Sequence, residues 1–222
     1  MNSSTDSTVQ RPVINWARPV AAPILEEARR RFRMRMISGR GHASTCDAQA
    51  LTEEMLSATE NLFCPLLGQV ELTVDCCRSE MVIVSGAMLP AGPWAGYLYE
   101  GDTLLLYCLS AGATRVELWR ACREDPVLAA AAHLLGSEIA FAVGRRLDLL
   151  LRAQSRTIRW QKIALMSSES RASDRCRWDP KIGHAFFTTF AAQESPVFIT
   201  ESGSFDPVHT VLGLFRRTMR HT

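Results

Sequence analysis

The feature that most constrains this fold is a long helical pattern rich in small residues, which begins at Asp125 and runs to about Arg152. Asp125 is a typical N-cap and Pro126 suits the first helical position, so the sequence itself defines where the helix begins. Alanine, glycine and serine occupy many positions between Ala129 and Gly144. A glycine inside a helix costs about 1 kcal/mol relative to alanine, and close backbone packing is a common compensation. The pattern predicts a buried helix packed against other backbone, such as a sheet, rather than a membrane span.

Short apolar runs on both sides of this helix predict the strands of that sheet. The predicted strands cover residues 70–74, 81–85, 103–109, 155–164 and 197–199, and 208–215 is a further apolar run. Helices are predicted over residues 23–36, 45–62 and 182–190, and residues 115–119 form a strand or begin a helix. This order indicates an α+β fold with helices packed on an antiparallel or mixed sheet. We predict a disordered or extended tail over residues 1–20 and one domain over 21–222, with a helical part at 21–65 and a part with the sheet and further helices at 66–222.

The composition is that of an ordinary globular protein from a reducing compartment. The chain has 222 residues, of which 47% are apolar and 22% charged, so it can bury a large core. Its net charge of +2 gives no indication of nucleic-acid binding. The seven cysteines are odd in number and lack a C-x-x-C pair, which favours free thiols. The first twelve residues lack the apolar segment of a signal peptide. We therefore predict a cytoplasmic protein that does not contact membranes.

A carboxylate at the end of a predicted core strand marks the first candidate site. The segment PVFITESGSFDPVHTVLGLF places Glu201, followed by Ser202 and Gly203, between two apolar runs. We expect a carboxylate at that point to lose hydration, which is costly unless a cation or several donors meet it. Either the protein or a ligand must supply that partner.

Four segments, read in order, resemble one known family. They are LSAG at 109–112, LLGSEIAFAVGRRLD at 134–148, RCRWDP at 175–180 and ITESGSFDPVHTVLGLF at 199–215. This order is similar to the reactivation domain of cobalamin-dependent methionine synthase and its stand-alone relatives, over roughly residues 81–215. In that family an Arg-led loop precedes a short helix, and a strand then ends in a Leu-Thr-Glu-Ser motif that a proline follows. The resemblance implies a twisted antiparallel sheet flanked by helices.

The resemblance also implies a function. Domains of this family bind S-adenosylmethionine (AdoMet) and present its methyl group to an inactive corrinoid. It therefore implies AdoMet as a cofactor, cobalamin carried by a partner corrinoid-binding methyltransferase, and a flavoprotein as electron donor. The reactive groups belong to these cofactors, so no catalytic side chain is predicted. The residues that we expect to hold AdoMet are Arg175, Arg177, Trp178, Glu201, Ser202 and Glu138.

Each of these residues has a chemical reason for its predicted role. Glu201 can offset a cation of the ligand, and Arg175, with Arg177 as its competitor, can hold a carboxylate through two hydrogen bonds. Trp178 can lie against the sulfonium or the adenine. Glu138 sits in the small-residue helix and can face the same pocket. The chain has no cluster with metal-ligand spacing, Gly-rich phosphate loop or nucleophile elbow, so no metal site is predicted.

One departure from the family pattern leaves three alternatives open. The family loop continues from its arginine to a Gly-Tyr pair that touches the ligand, whereas this chain has Asp179-Pro180. The site can therefore hold AdoMet in a different way or hold another small ligand. In the third alternative it holds none, and the protein is a non-catalytic module that docks on a corrinoid protein or another partner.

Overall fold

A seven-stranded antiparallel sheet forms the centre of the molecule in the computed structural model, which describes residues 11–38, 45–78, 80–154, 158–166 and 179–219. The strand order is β4-β3-β2-β5-β9-β6, and β1 pairs with the outer edge of β2. Two short strands, β7 and β8, form a separate hairpin. The strands are β1 Asn15–Ala17, β2 Leu66–Cys77, β3 Met81–Val84, β4 Ala87–Pro90, β5 Thr103–Ser110, β6 Ile158–Met166, β7 Phe198–Ile199, β8 Phe205–Asp206 and β9 Thr210–Met219.

The central strand β5 explains why the sheet is covered on both faces. Its sequence, TLLLYCLS, is apolar at nearly every position, and all but its first residue are buried. Leu104, Leu106 and Cys108 point into one core, whereas Leu105 and Tyr107 point into the other. Strands buried on both faces read as continuous apolar runs rather than as alternating ones. This strand therefore requires a helical layer on each side.

In the part of the chain that the structure describes, four α-helices cover one face of the sheet and a fifth covers the other. Helices α1 (Ala21–Ser38), α2 (Thr45–Thr59), α3 (Arg115–Cys122) and α4 (Pro126–Ala153) pack together on the face of Leu105 and Tyr107. Helix α5 (Pro180–Phe190) packs on the opposite face, together with Trp94. The predicted α+β class is confirmed, and every strand pair that the structure describes is antiparallel.

Helix α4 begins where the sequence predicts. Oδ1 of Asp125 accepts hydrogen bonds of 2.9 Å from the backbone N–H groups of Val127 and Leu128, and Pro126 is the first helical residue. Gly144 permits a close approach to the sheet, because a Cβ there would stand 3.1 Å from a methyl group of Leu109. By length and composition alone α4 could cross a membrane, but more than half of its most apolar window is buried inside the protein. Its packing is that of a core helix.

Two short segments fold in ways that the sequence analysis did not predict or left open. Strand β4 follows β3 through a two-residue turn, in which Ser85 and Gly86 both have positive φ, as tight hairpins require. Residues 115–122 form helix α3 rather than a strand. Its start is a capping box, in which the hydroxyl of Thr114 accepts from the backbone N–H of Glu117 and the Glu117 carboxylate accepts from that of Thr114.

The predicted tail contributes to the sheet in its described part. Asn15–Ala17 is extended and pairs with residues 67–69 of β2. Ile14 is buried, and its backbone N–H donates to the carbonyl of Phe190 at the end of α5, at 2.7 Å. These contacts fix residues 14–17 to the body of the molecule; the proposed domain limits otherwise stay a prediction.

Candidate functional site

A groove between α4 and the edge strand β6, here called the α4–β6 groove, is large enough to hold a small molecule. Its volume is about 810 Å³, within the range of small-molecule sites. Helix α4 forms one wall, and strands β5, β9 and β6 form the floor and the other wall. The apolar and aromatic side chains that line it include Tyr107, Leu109, Phe141, Trp160, Leu165 and Phe215.

The rim of the groove is charged and mainly basic. Five cationic side chains line it, with one carboxylate, Asp148: Arg35, Arg145, Arg152, Arg159 and Lys162. Asp148 pairs with Arg152 one helical turn away, at 2.7 Å. Arg145 pairs with Glu27 of α1, with Nε 2.9 Å from the carboxylate oxygen. The α4 wall is therefore largely neutralised, whereas the β6 wall keeps its positive charge.

Strand β6 brings a tryptophan and a cation to the groove. The indole Nε1 of Trp160 is buried and has no hydrogen-bond partner in the described structure. The ammonium of Lys162 lies 5.5 Å from the ring centroid of Phe215, close enough for a cation–π contact. A buried donor without a partner is uncommon and is costly to leave unmet.

Glu138 lies at the α1 end of this groove and is completely buried. Its Oε1 is 2.9 Å from Nε of Arg35, which lines the groove, and its Oε2 is 4.0 Å from a guanidinium nitrogen of Arg31. The pairs meet the distance criterion of an ion pair, but neither carboxylate oxygen accepts a well-aligned hydrogen bond. Coulomb attraction to the buried carboxylate of Glu138 therefore holds the half-exposed Arg35 at the rim. The predicted ligand role of Glu138 stays a prediction, because its present partners are arginines of α1.

Glu201 lies in solvent, which contradicts the expectation that its carboxylate loses hydration. It occupies the turn between β7 and β8, where residues 200–204 close on themselves. The backbone N–H of Thr200 donates to the carbonyl of Ser204 at 2.8 Å, and the hydroxyls of Thr200 and Ser202 are 2.9 Å apart. Gly203 has a φ of 75°, which favours glycine. The turn satisfies its own polar groups, so water solvates Glu201 and no cation is needed.

The predicted site residues do not converge in the described structure. Glu138 belongs to the helical layer on one face, whereas the hairpin of Glu201 and Ser202 packs through Phe205 against Phe187 of α5 on the other. The residues Arg175, Arg177 and Trp178 lie outside the described residues, so their ligand roles stay predictions. The structure does explain Asp179-Pro180: Oδ1 of Asp179 accepts from the backbone N–H of Lys181 at 2.8 Å, and Pro180 begins α5. This pair starts a helix.

A second polar cluster joins α4 to the start of β9. Nδ1 of His133 lies 3.2 Å from Nε2 of His209, and Nδ1 of His209 lies 3.4 Å from the hydroxyl of Ser137. His209 packs directly on Gly136, where a Cβ would overlap the ring. Within the described ranges, no group of three or more His, Cys, Asp or Glu side chains is placed to hold a metal. The contacts of His209 with His133, Ser137 and Gly136 join α4 to the start of β9.

The residues of the α4–β6 groove were not among the predicted site residues, apart from Glu138 beside it. Trp160 and Lys162 belong to a strand that the sequence predicts over residues 155–164, but nothing local shows which element that strand faces. Their position depends on the pairing of β6 with β9, which sets Lys162 opposite Phe215. A tryptophan and a lysine two residues apart on a strand share one face, and that spacing is the only sequence signal for this pair.

Comparison with known proteins supports the fold. No protein-family model matches the sequence, and no curated protein matches it. Among solved structures, the crystal structure of the MetH reactivation domain bound to AdoHcy aligns with 93% of this chain and 78% of that chain. The TM-score is 0.58 and the sequence identity is 13%. At this identity the likeness shows a shared fold. The α+β architecture with an antiparallel sheet flanked by helices is thus that of the MetH reactivation domain.

Proposed function

We propose that this protein binds an S-adenosyl ligand, AdoMet or S-adenosylhomocysteine (AdoHcy), in the α4–β6 groove. The observation that carries the proposal is the groove itself, with a volume of about 810 Å³, aromatic walls and ionic groups of both signs at its rim. An adenine ring needs an apolar, aromatic surface, and an amino-acid tail needs a cation and an anion. The likeness to a reactivation domain whose structure holds AdoHcy supports the same ligand class.

The residues that line the groove fit such a ligand in chemical type. Trp160 and Phe141 line the groove and supply aromatic surface for adenine. Lys162 can pair with the carboxylate of the amino-acid tail. Asp148 is the carboxylate that lines the groove and can pair with the ligand's ammonium, for which the ligand competes with Arg152. Of the predicted residues, Arg175, Arg177 and Trp178 remain proposed as further contacts. Glu201 and Ser202 lie on the other face of the sheet and are not part of this groove.

The proposed role is support of reductive methylation of a corrinoid methyltransferase such as methionine synthase. In such a system the methyl group of AdoMet passes to the corrinoid of the partner with one electron from a reductant such as a flavoprotein, and AdoHcy is left. This chain would bind and orient the nucleoside in the cytoplasm and dock on the partner that carries cobalamin. The sequence resemblance and the shared fold support this role.

A change at Gly144 tests the site directly. Gly144 lines the groove, and a Cβ there would meet only one methyl group of Leu109, at 3.1 Å. Gly144→Leu places a branched side chain in the cavity, whereas Gly144→Ala leaves most of it open and is the matched control. Titration calorimetry with AdoHcy should show binding by the wild type and the alanine variant, and at least a tenfold loss in the leucine variant. Thermal unfolding confirms that both variants fold.

Two results would count against the proposal in different ways. Absence of heat from wild-type protein with AdoHcy and AdoMet, each near a millimolar, would remove the ligand class. If Gly144→Leu binds AdoHcy with unchanged affinity, the ligand class stands, but the α4–β6 groove is not the binding site. The alternative of a non-catalytic docking module gains support only from the first result together with co-purification of a corrinoid protein.

A further inference from the structure

The charge around the α4–β6 groove distinguishes the two S-adenosyl ligands. We propose that the groove favours AdoHcy over AdoMet, so that the site senses the demethylated product; this rests on the proposed function. AdoHcy and AdoMet share the adenosine, the ammonium and the carboxylate. They differ by one methyl group and by the positive charge that the sulfonium carries. A site with excess positive charge therefore penalises AdoMet alone.

The carboxylates near the groove are already committed to arginines. Asp148, the only acid that lines the groove in the described structure, lies 2.7 Å from Arg152. Glu138, behind the rim, faces Arg35 at 2.9 Å and Arg31 at 4.0 Å. Each of these acids already has an arginine next to it, which would weaken its attraction for a sulfonium.

Glu27 is the third acid of this region and is shared in the same way. It lies 2.9 Å from Arg145 and 3.8 Å from Arg31. The two acids of α1 and α4 behind the rim, Glu27 and Glu138, thus serve three arginines. Among the described residues, cations therefore outnumber carboxylates in this region.

The β6 wall adds two cations that no acid of the described ranges offsets. Neither Arg159 nor Lys162 has an ion-pair partner among the described residues. Aromatic faces could otherwise stabilise a sulfonium through a cation–π contact. The ammonium of Lys162 already lies over the ring of Phe215, at 5.5 Å from its centroid. The Lys162 ammonium would repel a sulfonium placed over the same ring.

This preference gives the site a regulatory property. AdoHcy is what remains after any methyl transfer from AdoMet. A groove that holds the thioether more tightly than the sulfonium would fill with AdoHcy when that product accumulates. Methyl delivery would then stop while the protein stays folded and occupied.

Titration calorimetry with both ligands tests the preference. At about 50 mM salt we expect AdoHcy to bind about three- to tenfold more tightly than AdoMet, and the ratio should fall at about 500 mM salt because screening weakens the repulsion. Lys162→Gln removes one positive charge and should narrow the ratio. Asp148→Asn removes the only lining acid and should widen it. Lys181→Gln, in α5 on the opposite face of the sheet, is the matched control and should leave the ratio unchanged.

The outcomes separate this inference from the proposed function. If AdoMet binds as tightly as AdoHcy or more tightly, the preference is overturned while S-adenosyl binding stands. The preference is also overturned if Lys162→Gln and Lys181→Gln change the ratio of the AdoHcy and AdoMet affinities equally. In that case the charge of the groove is not its cause. If neither ligand binds, the proposed function itself fails.

Discussion

Gly136 provides a sharp test of how α4 is held to the sheet. It lies under the ring of His209, and a Cβ there would stand 2.7 Å from Nε2 and 2.8 Å from Cγ. His209 is only 8% exposed, and its Nε2 is 3.2 Å from Nδ1 of His133. The ring is enclosed and hydrogen-bonded, so it cannot move aside without cost. Gly136→Ala should therefore destabilise the protein, although alanine is the better helix former.

The expected magnitude follows from three opposing contributions. Replacement of glycine by alanine within a helix gains about 1 kcal/mol. Overpacking a buried position costs about 1–3 kcal/mol. Displacement of the His209 ring weakens a hydrogen bond worth about 1 kcal/mol. The net loss in the free energy of unfolding is about 1–3 kcal/mol, which for a chain of this size lowers Tm by roughly 3–10 °C.

Urea and thermal unfolding of the variant measure this loss. Gly144→Ala is the matched control in the same helix, because its Cβ would meet only the tip of Leu109, at 3.1 Å. That control should be neutral or more stable than the wild type by up to about 1 kcal/mol. In a His209→Ala background, Gly136→Ala should lose most of its cost. If Gly136→Ala proves as stable as Gly144→Ala, the close contact between α4 and His209 is refuted.

Three further predictions concern single side chains. Thr114→Ala removes the capping box of α3 and should lower the free energy of unfolding in urea by about 1 kcal/mol. The Thr114 hydroxyl lowers the pKa of Glu117, so the loss should shrink as the pH falls through that lowered pKa. A loss that does not change with pH would contradict the cap. Burial lowers the pKa of His184, so its NMR titration midpoint should lie below about 6.5. The stability that neutral His184 contributes should be lost as the pH falls through this lowered pKa. A midpoint above about 6.5 would contradict this prediction. Phe186 is fully buried on the inner face of α5, so Phe186→Ala should lower the free energy of unfolding by about 3–5 kcal/mol, and a loss below about 1 kcal/mol would show that α5 does not cover this face.

The elements with local signals could be predicted from the sequence. The N-cap Asp125 and the following Pro126 predict the start of α4. The continuous apolar run of β5 predicts burial on both faces. Strands β1 and β4 have three and four residues, and their existence depends on pairing with β2 and β3. A strand that short has too little periodicity to be recognised without its partner.

The site was harder to predict because its residues meet only through long-range pairing. The expectation for Glu201 assumed that the carboxylate at the end of an apolar strand is buried, but the turn that follows bonds to itself and leaves it in water. Trp160 and Lys162 face α4 because β6 pairs with β9 at the edge of the sheet. Glu138 does lie beside the groove, but its polar environment comes from Arg31 and Arg35 of another helix.

The indole N–H resonance of Trp160 tests the central claim most directly. Proton–nitrogen NMR of the ¹⁵N-labelled protein, with the signal assigned through Trp160→Phe, should show a shift of this resonance during titration with AdoHcy. The indole of Trp94, buried on the opposite face of the sheet, should not move. Binding of AdoHcy that leaves the Trp160 signal in place, or that moves the Trp94 signal instead, would contradict the account.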